Sequence, residues 1–486
     1  MNIFKVLSVI GLSTITALFI GFLKGKLIAV YFGSAGLGIW AQVSNLFMIC
    51  GSISLFGLNQ GLVKEILTKE KHEVSDDFIQ DTLSKSLFFS LSVSILILII
   101  IICCAGKISS LLFNNVISVN LIIFISVFLP LQAAGDILGV FLLANREIKK
   151  FAMSNILISV TGLIVFIVLI KFFKLNGAYY SVGIYGIVTF TSFYLISKPL
   201  IRGGIKGLFT LRKQLLDHLF YKSIIQFGSL RLIQANINLI TALLIRSLII
   251  KKAGLSESGF FEALNRFSMF YTPLISNILW SYTFPMYCGN MNNQRLNYEV
   301  NKFTQLFFIL FVPVSVIVMV FGATFVNLLF SKTFYPVIFL FSLWFIFDLL
   351  RIASWPIGLI FLVRDKMKTA ASLEFFLSLI LLTSAYLTIG KYSLKGVVLS
   401  YVFAYCIFLA ANYLIINKNY GIRFNTKTIL MFCVSVVLII IAGRFPKASL
   451  DYAFIIFLSL IFLITAINKQ EMLLLKDAFF KTFIRV

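Results

Sequence analysis

Lys24-Gly-Lys-Leu-Ile-Ala-Val-Tyr-Phe-Gly33-Ser-Ala-Gly36-Leu-Gly38-Ile-Trp-Ala-Gln42-Val-Ser-Asn45 ends one long apolar segment, turns the chain on glycines and opens a second. A related pattern recurs downstream. Shifted by 221 residues, Gly254, Gly259, Phe261, Asn265 and Met269 fall under Gly33, Gly38, Trp40, Ser44 and Met48. The chain therefore reads as two related halves, each opening with a glycine-turned helical hairpin.

The composition agrees with membrane helices on both sides of this turn. Hydrophobic residues make up 60%, mean hydropathy is +1.01 and only 12% of residues are charged, far outside the soluble globular range. Crossing ~30 Å of hydrocarbon takes ~20 apolar residues, so 486 residues leave room for many spans and almost none for a soluble domain. The formal charge of +24 sits mostly in alternate short loops, where it reads as topology signal and contact with anionic lipid, not nucleic-acid binding. The cysteines Cys50, Cys103, Cys104, Cys288, Cys406 and Cys433 lie in or beside apolar segments without metal or disulfide spacing. The N-terminus lacks a cleavage pattern and reads as a retained first helix.

Spans are expected near 6–32, 38–62, 82–105, 117–143, 152–173 and 176–197, then 223–250, 258–285, 302–322, 335–363, 369–390 and 395–417, and last 428–442 and 450–467. The expected fold is an all-α polytopic membrane protein of about fourteen transmembrane helices. It divides into an N-terminal six-helix lobe (1–197), a basic cytoplasmic linker (198–222), a C-terminal six-helix lobe (223–417), an extra helix pair (428–467) and a cytoplasmic tail (468–486). Lys64, Lys69, Lys71, Arg146, Lys149, Lys150, Lys198, Arg202, Arg364, Lys366, Lys368, Lys418 and Arg423 fall on one side, which the positive-inside rule makes cytoplasmic, with both termini there. Lys107, Lys171, Lys174, Lys251, Lys252, Lys391, Lys395, Arg444 and Lys447 fall on the other, so the bias is imperfect. Two hairpins entering the membrane in the same direction imply parallel repeats with a cavity between the lobes.

No enzyme motif survives inspection. The two histidines, His72 and His218, lie in loops away from carboxylate clusters, and no G-x-x-x-x-G-K-[ST] phosphate loop is present. No metal and no cofactor is expected.

Ionisable residues within apolar segments are the informative ones, because charge at the bilayer centre is costly. Arg231, Gln234, Asn238 and Thr241 form one polar stripe on the seventh span. Glu262 and Arg266 are a turn apart on the eighth, and Asp348 and Arg351 are three residues apart on the tenth. Lys24 lies in the first span on the side of Gly21, and Asp136 follows Ala-Ala-Gly in the fourth. Each has a structural alternative: Glu262–Arg266 and Asp348–Arg351 as intrahelical ion pairs, and Lys24 as a side chain snorkelling to the interface. The aromatic content, 15%, is expected to be mostly lipid-facing bulk.

Gly25-Lys26-Leu-Ile-Ala-Val-Tyr-Phe-Gly33-Ser-Ala-Gly36-Leu-Gly38, followed by Gln42, Gly57, Asn59, Gly61 and Val63-Lys64, resembles the opening hairpin of Wzx-type flippases for O-antigen and enterobacterial common antigen units. These belong to the multidrug/oligosaccharidyl-lipid/polysaccharide (MOP) exporter superfamily. The stretch Phe347-Asp348-Leu-Leu-Arg351-Ile-Ala with Arg364-Asp-Lys-Met-Lys368 is similar to that family as well, and the likeness in length and hydropathy covers roughly residues 1–417. It implies a MATE/MOP-like fold and an inner-membrane protein that moves undecaprenyl-pyrophosphate-linked oligosaccharide to the periplasmic leaflet by alternating access. Lys24, Arg231, Gln234, Asn238, Arg266 and Arg351 become candidates for substrate binding, since a pyrophosphate leaving water needs cationic compensation. Asp348, Asp136 and Glu262 become candidates for ion or proton coupling. An O-antigen polymerase and a chain-length regulator are the protein partners the pathway implies, beside membrane lipids. Many members end after twelve helices, so the pair at 428–467 is an addition. A multidrug exporter of the same superfamily would be expected to carry an acidic residue in the first helix, and 6–32 contains none. A polymerase or ligase would be expected to carry a large outer loop, and none is long enough.

Overall fold

The computed structural model of the protein describes residues 3–58, 76–201, 218–289 and 291–444. Helix α1 spans Ile3–Leu55, α2 Asp76–Phe113, α3 Val119–Val127, α4 Leu129–Ala144 and α5 Ile148–Ser197. Next come α6 His218–Lys252, α7 Leu255–Ser268, α8 Thr272–Ile278 and α9 Phe284–Cys288. The last are α10 Asn293–Val320, α11 Gly322–Leu329, α12 Phe341–Val363, α13 Met367–Tyr420 and α14 Thr426–Arg444. Among the described residues there is no strand, and eight helical stretches are long and apolar enough to cross a membrane. The chain is an all-α polytopic membrane protein, and the expected span at 450–467 lies outside the described residues.

Three helices are too long to be single spans. At ~1.5 Å per residue, the 53 residues of α1, 50 of α5 and 54 of α13 would run more than twice the ~30 Å hydrocarbon thickness. Each is broken by one residue with positive φ: Gly33 (65°), Lys174 (52°) and Ser393 (49°). These breaks fall at the expected boundaries 32/38, 173/176 and 390/395. At Lys174 and Ser393 the chain folds back tightly. A Cβ on Gly396 would lie 2.7 Å from the carbonyl oxygen of Thr388, and one on Gly177 would run into that of Leu169. Eight residues apart on a straight helix, such groups would be ~12 Å distant.

The same breaks display the internal repeat. Lys174 and Ser393 have nearly identical torsions (52°, −130° and 49°, −138°) and are separated by 219 residues, as are the positive-φ residues Arg146 and Asp365. Gly33 (65°, −164°) and Gly254 (102°, 171°), paired at 221, share a region almost closed to other residues. The repeat read from glycine spacing is thus a repeat of backbone geometry.

Contacts divide the chain into two compact units. Among the described residues one comprises 3–28 and 39–247, and the other comprises 29–38 and 248–444. In the first, Leu83, Leu87, Ile137, Leu138, Phe141, Ile158, Val188 and Phe193 form an aliphatic-rich core joining α2, α4 and α5. In the second, Phe261, Phe267, Tyr271, Phe311, Phe341, Trp344, Phe345 and Phe347 are buried against one another. Much of the aromatic content expected to face lipid is therefore core here, filling space between helices with flat rings.

The expected single span at 258–285 is broken into α7, α8, a π-helical turn at Leu279–Thr283 and α9. The chain leaves the helix at Met269–Tyr271 and is then helical from Thr272 to Cys288; Pro273 stands in the first turn of α8, where the missing N–H is tolerated, and Pro285 follows the π-helical turn. Helix α14 is fastened to α10 by a buried amide network. Asn301 accepts from Asn425 N and Thr428 Oγ1, each at 2.8 Å, and Gln305 Nε2 donates to Thr428 Oγ1 at 2.7 Å.

Candidate functional site

The first unit carries a cation without a carboxylate. Lys24, half-buried on α1, holds its ammonium 5.7 Å from the centre of the Phe166 ring and 5.6 Å from that of Tyr185, both on α5. The space comes from Gly162, one turn before Phe166, where a Cβ would sit 3.4 Å from Lys24 Nζ. Trp40, from the second limb of α1, meets Phe166 edge-on at 6.2 Å. Among the described residues Lys24 forms no ion pair, so the rings hold the ammonium without neutralising it. Asp136 of α4 is half-buried, hydrogen-bonded by Gln132 one turn earlier, and within electrostatic reach of the Tyr185 hydroxyl.

In the second unit two arginines, Arg266 and Arg351, are paired with carboxylates on their own helices. Glu262 and Arg266 face each other along α7 with Nε 3.0 Å from Oε1, and both are buried. Asp348 of α12 is fully buried. Its Oδ1 lies 2.6 Å from Arg351 Nη2, and its Oδ2 accepts from Ser268 Oγ at 2.6 Å and from the Tyr271 hydroxyl. Trp344 Nε1 donates to Ser268 Oγ at 2.8 Å. The Arg351 guanidinium lies 5.0 Å from the Phe347 ring centre and 5.8 Å from that of Trp355, and Nη2 reaches Thr272 Oγ1 at 3.4 Å. One helix supplies the carboxylate and cation, and the start of the broken span supplies the hydroxyls.

Of the other expected residues, Asn238 is exposed on α6, while the side chains of Arg231 and Gln234 lie outside the described residues. Gln42 is buried and donates to Ser247 Oγ at 2.8 Å and Leu243 O at 3.1 Å, tying α1 to α6. Sequence reasoning missed Arg246, buried in α6, and the Tyr185, Ser268, Tyr271 and Trp344 contacts. Arg246 had a signal, a charge inside Leu-Leu-Ile-Arg-Ser-Leu-Ile-Ile. The neutral residues had none, because their role depends on which helix they meet.

Residues 34–338, more than half of the chain and including α4, the turn at Gly254 and the α7–α9 segment, match the profile of a family described as polysaccharide biosynthesis protein. The chain belongs to the polysaccharide biosynthesis protein family. Among curated proteins it is similar to the lipid III flippases of Escherichia coli (strain K12) and Shigella flexneri. Each is 22% identical over 400 residues, covering 82% of this chain and 94% of the relative. Among solved structures it is similar to the lipid II flippase MurJ in an inward closed conformation, with a TM-score of 0.66, 15% identity and coverage of 98% of this chain and 99% of that one. It is also similar to an inward-facing MATE family transporter of the MOP superfamily, with a TM-score of 0.63, 16% identity and coverage of 84% and 95%. At these identities the structures establish a common fold. The proteins it resembles are flippases and transporters, not enzymes.

Proposed function

We propose that the protein is a flippase that moves undecaprenyl-pyrophosphate-linked O-antigen repeat units from the cytoplasmic to the periplasmic leaflet of the bacterial inner membrane, with both of its own termini cytoplasmic. The family and the lipid III flippase relatives support a lipid-linked oligosaccharide as cargo. The observation that carries the reading is the Lys24 ammonium, kept within the membrane on aromatic faces and not spent on a carboxylate. A diphosphate entering a poorly hydrated site needs such a charge, and cation–π contacts worth ~0.5–2 kcal/mol are weak enough for it to displace. Arg351 and Arg266 are already paired and serve less directly; Arg231, Gln234 and Asn238 complete the proposed set. For coupling, Asp348 and Glu262 hold arginines, whereas Asp136 has no cationic partner among the described residues, which makes it the better candidate of the three.

A multidrug exporter shares the fold, but the first span contains no acidic residue, and the cation there is the wrong sign for cationic drugs. The test is a deletion strain complemented with Lys24 variants and read by its lipopolysaccharide ladder. Lys24→Arg retains appreciable O-antigen, while Lys24→Gln and Lys24→Ala lose most of it at normal protein level. A normal ladder from Lys24→Gln removes Lys24 from the site.

A further inference from the structure

Two arginines lie one above the other where span ends of the second unit meet. Asn293, Val363, Met367, Tyr420 and Thr426 are each the first or last residue of a stretch apolar enough to cross a membrane. Arg364, just after α12, and Arg423, just before α14, therefore stand at headgroup level. The Arg364 guanidinium donates through Nη2 to Asn293 Oδ1 at 3.2 Å and lies 5.7 Å from the centre of the Tyr420 ring. Arg423 donates its backbone N–H to Asn297 Oδ1 at 2.8 Å and its Nε to Asn417 Oδ1 at 3.1 Å. Asn293 and Asn297 are four residues apart on α10, and Asn417 and Tyr420 are three apart on α13. Both guanidinia are thus held between the same two helices, at levels ~5–6 Å apart. Arg364 takes the outer level and Arg423 the inner.

Both arginines are exposed, and among the described residues neither forms an ion pair, not even with the exposed Asp365 beside Arg364. Their partners are neutral amides and a ring, which orient a guanidinium without cancelling its charge. The loop that carries Arg423 is also fixed on both sides of it. Asn301 Nδ2 donates to Arg423 O at 2.9 Å, Asn425 N donates to Asn301 Oδ1 at 2.8 Å, and the Phe424 ring stacks on Tyr413 at 5.4 Å. The freedom an arginine gives up on binding is already lost here, while both terminal nitrogens of Arg423 and the Nε and Nη1 of Arg364 keep their N–H groups for a ligand. We propose that Arg364 and Arg423 form a clamp for the phosphodiester of an anionic phospholipid of the phosphatidylglycerol kind. A phosphate between two guanidinia accepts from both forks, and this is the level at which lipid phosphates lie. The exposed Lys366, Lys368 and Lys418 nearby supply attraction to an anionic leaflet without that geometry. A lipid so held bridges the α12–α13 turn and the α13–α14 loop, and so helps to fasten α14.

The clamp is independent of what the protein transports. Full-length protein in neutral detergent is titrated with phosphatidylglycerol or phosphatidylcholine, and bound lipid is counted by native mass spectrometry. Wild type retains one phosphatidylglycerol ahead of all others and shows no such preference for phosphatidylcholine. Arg364→Gln and Arg423→Gln each weaken that binding ~10-fold, the scale of one charge-assisted hydrogen bond. The double lysine variant, Arg364→Lys with Arg423→Lys, also weakens it, because it keeps the charge and loses the fork, whereas Lys366→Gln with Lys368→Gln leaves it within ~2-fold. Thermal melts without added lipid check each fold, and if a glutamine variant melts early the double lysine variant decides. Unchanged binding in the arginine variants overturns the proposal, and so does an equal loss in the Lys366/Lys368 variant, which would mean a diffuse basic surface. Displacement of the lipid by inorganic phosphate would make this a free-anion site, and binding of undecaprenyl diphosphate in place of phosphatidylglycerol would make it a cargo site; either result also overturns it.

Discussion

The two units share a backbone and differ in what they do with charge. Lys174 in the first matches Ser393 in the second, and Arg146 matches Asp365. Yet on corresponding helices α4 carries Gln132 and Asp136 without a cation, while α12 carries Asp348 clamped by Arg351, Ser268 and Tyr271. In the first unit Lys85 is paired with Asp81 at 2.9 Å, as the arginines of the second are, but the Lys24 ammonium rests on rings. Turns and glycines are constrained by backbone sterics and persist in both halves; side-chain charge is free to diverge, so Lys24 is left on aromatic faces while Arg351 is locked by Asp348.

The largest effect that would break this contrast is at Asp348. Asp348→Ala leaves Arg351 without its carboxylate and orphans two hydroxyls, costing ~3–5 kcal/mol on the scale of a broken buried pair. Asp136→Asn changes one hydrogen bond and shifts stability by ~1 kcal/mol or less. Unfolding in detergent titrated with SDS compares the two, and equal losses would erase the distinction. An intermediate effect is expected at the fold-back turns. Gly177→Val and Gly396→Val each drive a side chain into a backbone carbonyl eight residues earlier and lose ~1–3 kcal/mol or more. Similar losses sharpen the repeat, and a tolerated valine at one would show that its turn has relaxed. The smallest stability effect belongs to Lys24→Gln, ~0.5–1 kcal/mol for an exchanged cation–π contact, with unfolding nearly unchanged while the lipopolysaccharide ladder collapses. A large stability loss there would make Lys24 a structural residue like Arg266.

Much of the fold was legible because membrane helices announce themselves by apolar length. The breaks at Gly33, Lys174 and Ser393 fall where the sequence places loops, although Lys174 and Ser393 carry positive φ without being glycine. Pro273 and Pro285 sit in plain view in the eighth span, but their effect there, one break before α8 and a π turn before α9, depends on how neighbours satisfy the freed backbone groups. At the site, the i, i+3 and i, i+4 spacings named Asp348–Arg351 and Glu262–Arg266 as pairs, and the chain formed both.

Sequence by itself determined the class, the span boundaries at 33, 174 and 393, the repeat and the pairs made within one helix, since all of these follow from hydropathy, glycine and short spacing along a single axis. Only the tertiary structure decided which charges are spent. Whether Lys24 meets a carboxylate or two aromatic rings, and whether Asp348 finds the hydroxyls of Ser268 and Tyr271, depends on contacts between residues 77 to 161 positions apart, from 271 to 348 and from 24 to 185. Inside a membrane, where water cannot stand in for a missing partner, those distant contacts fix the state of each charge.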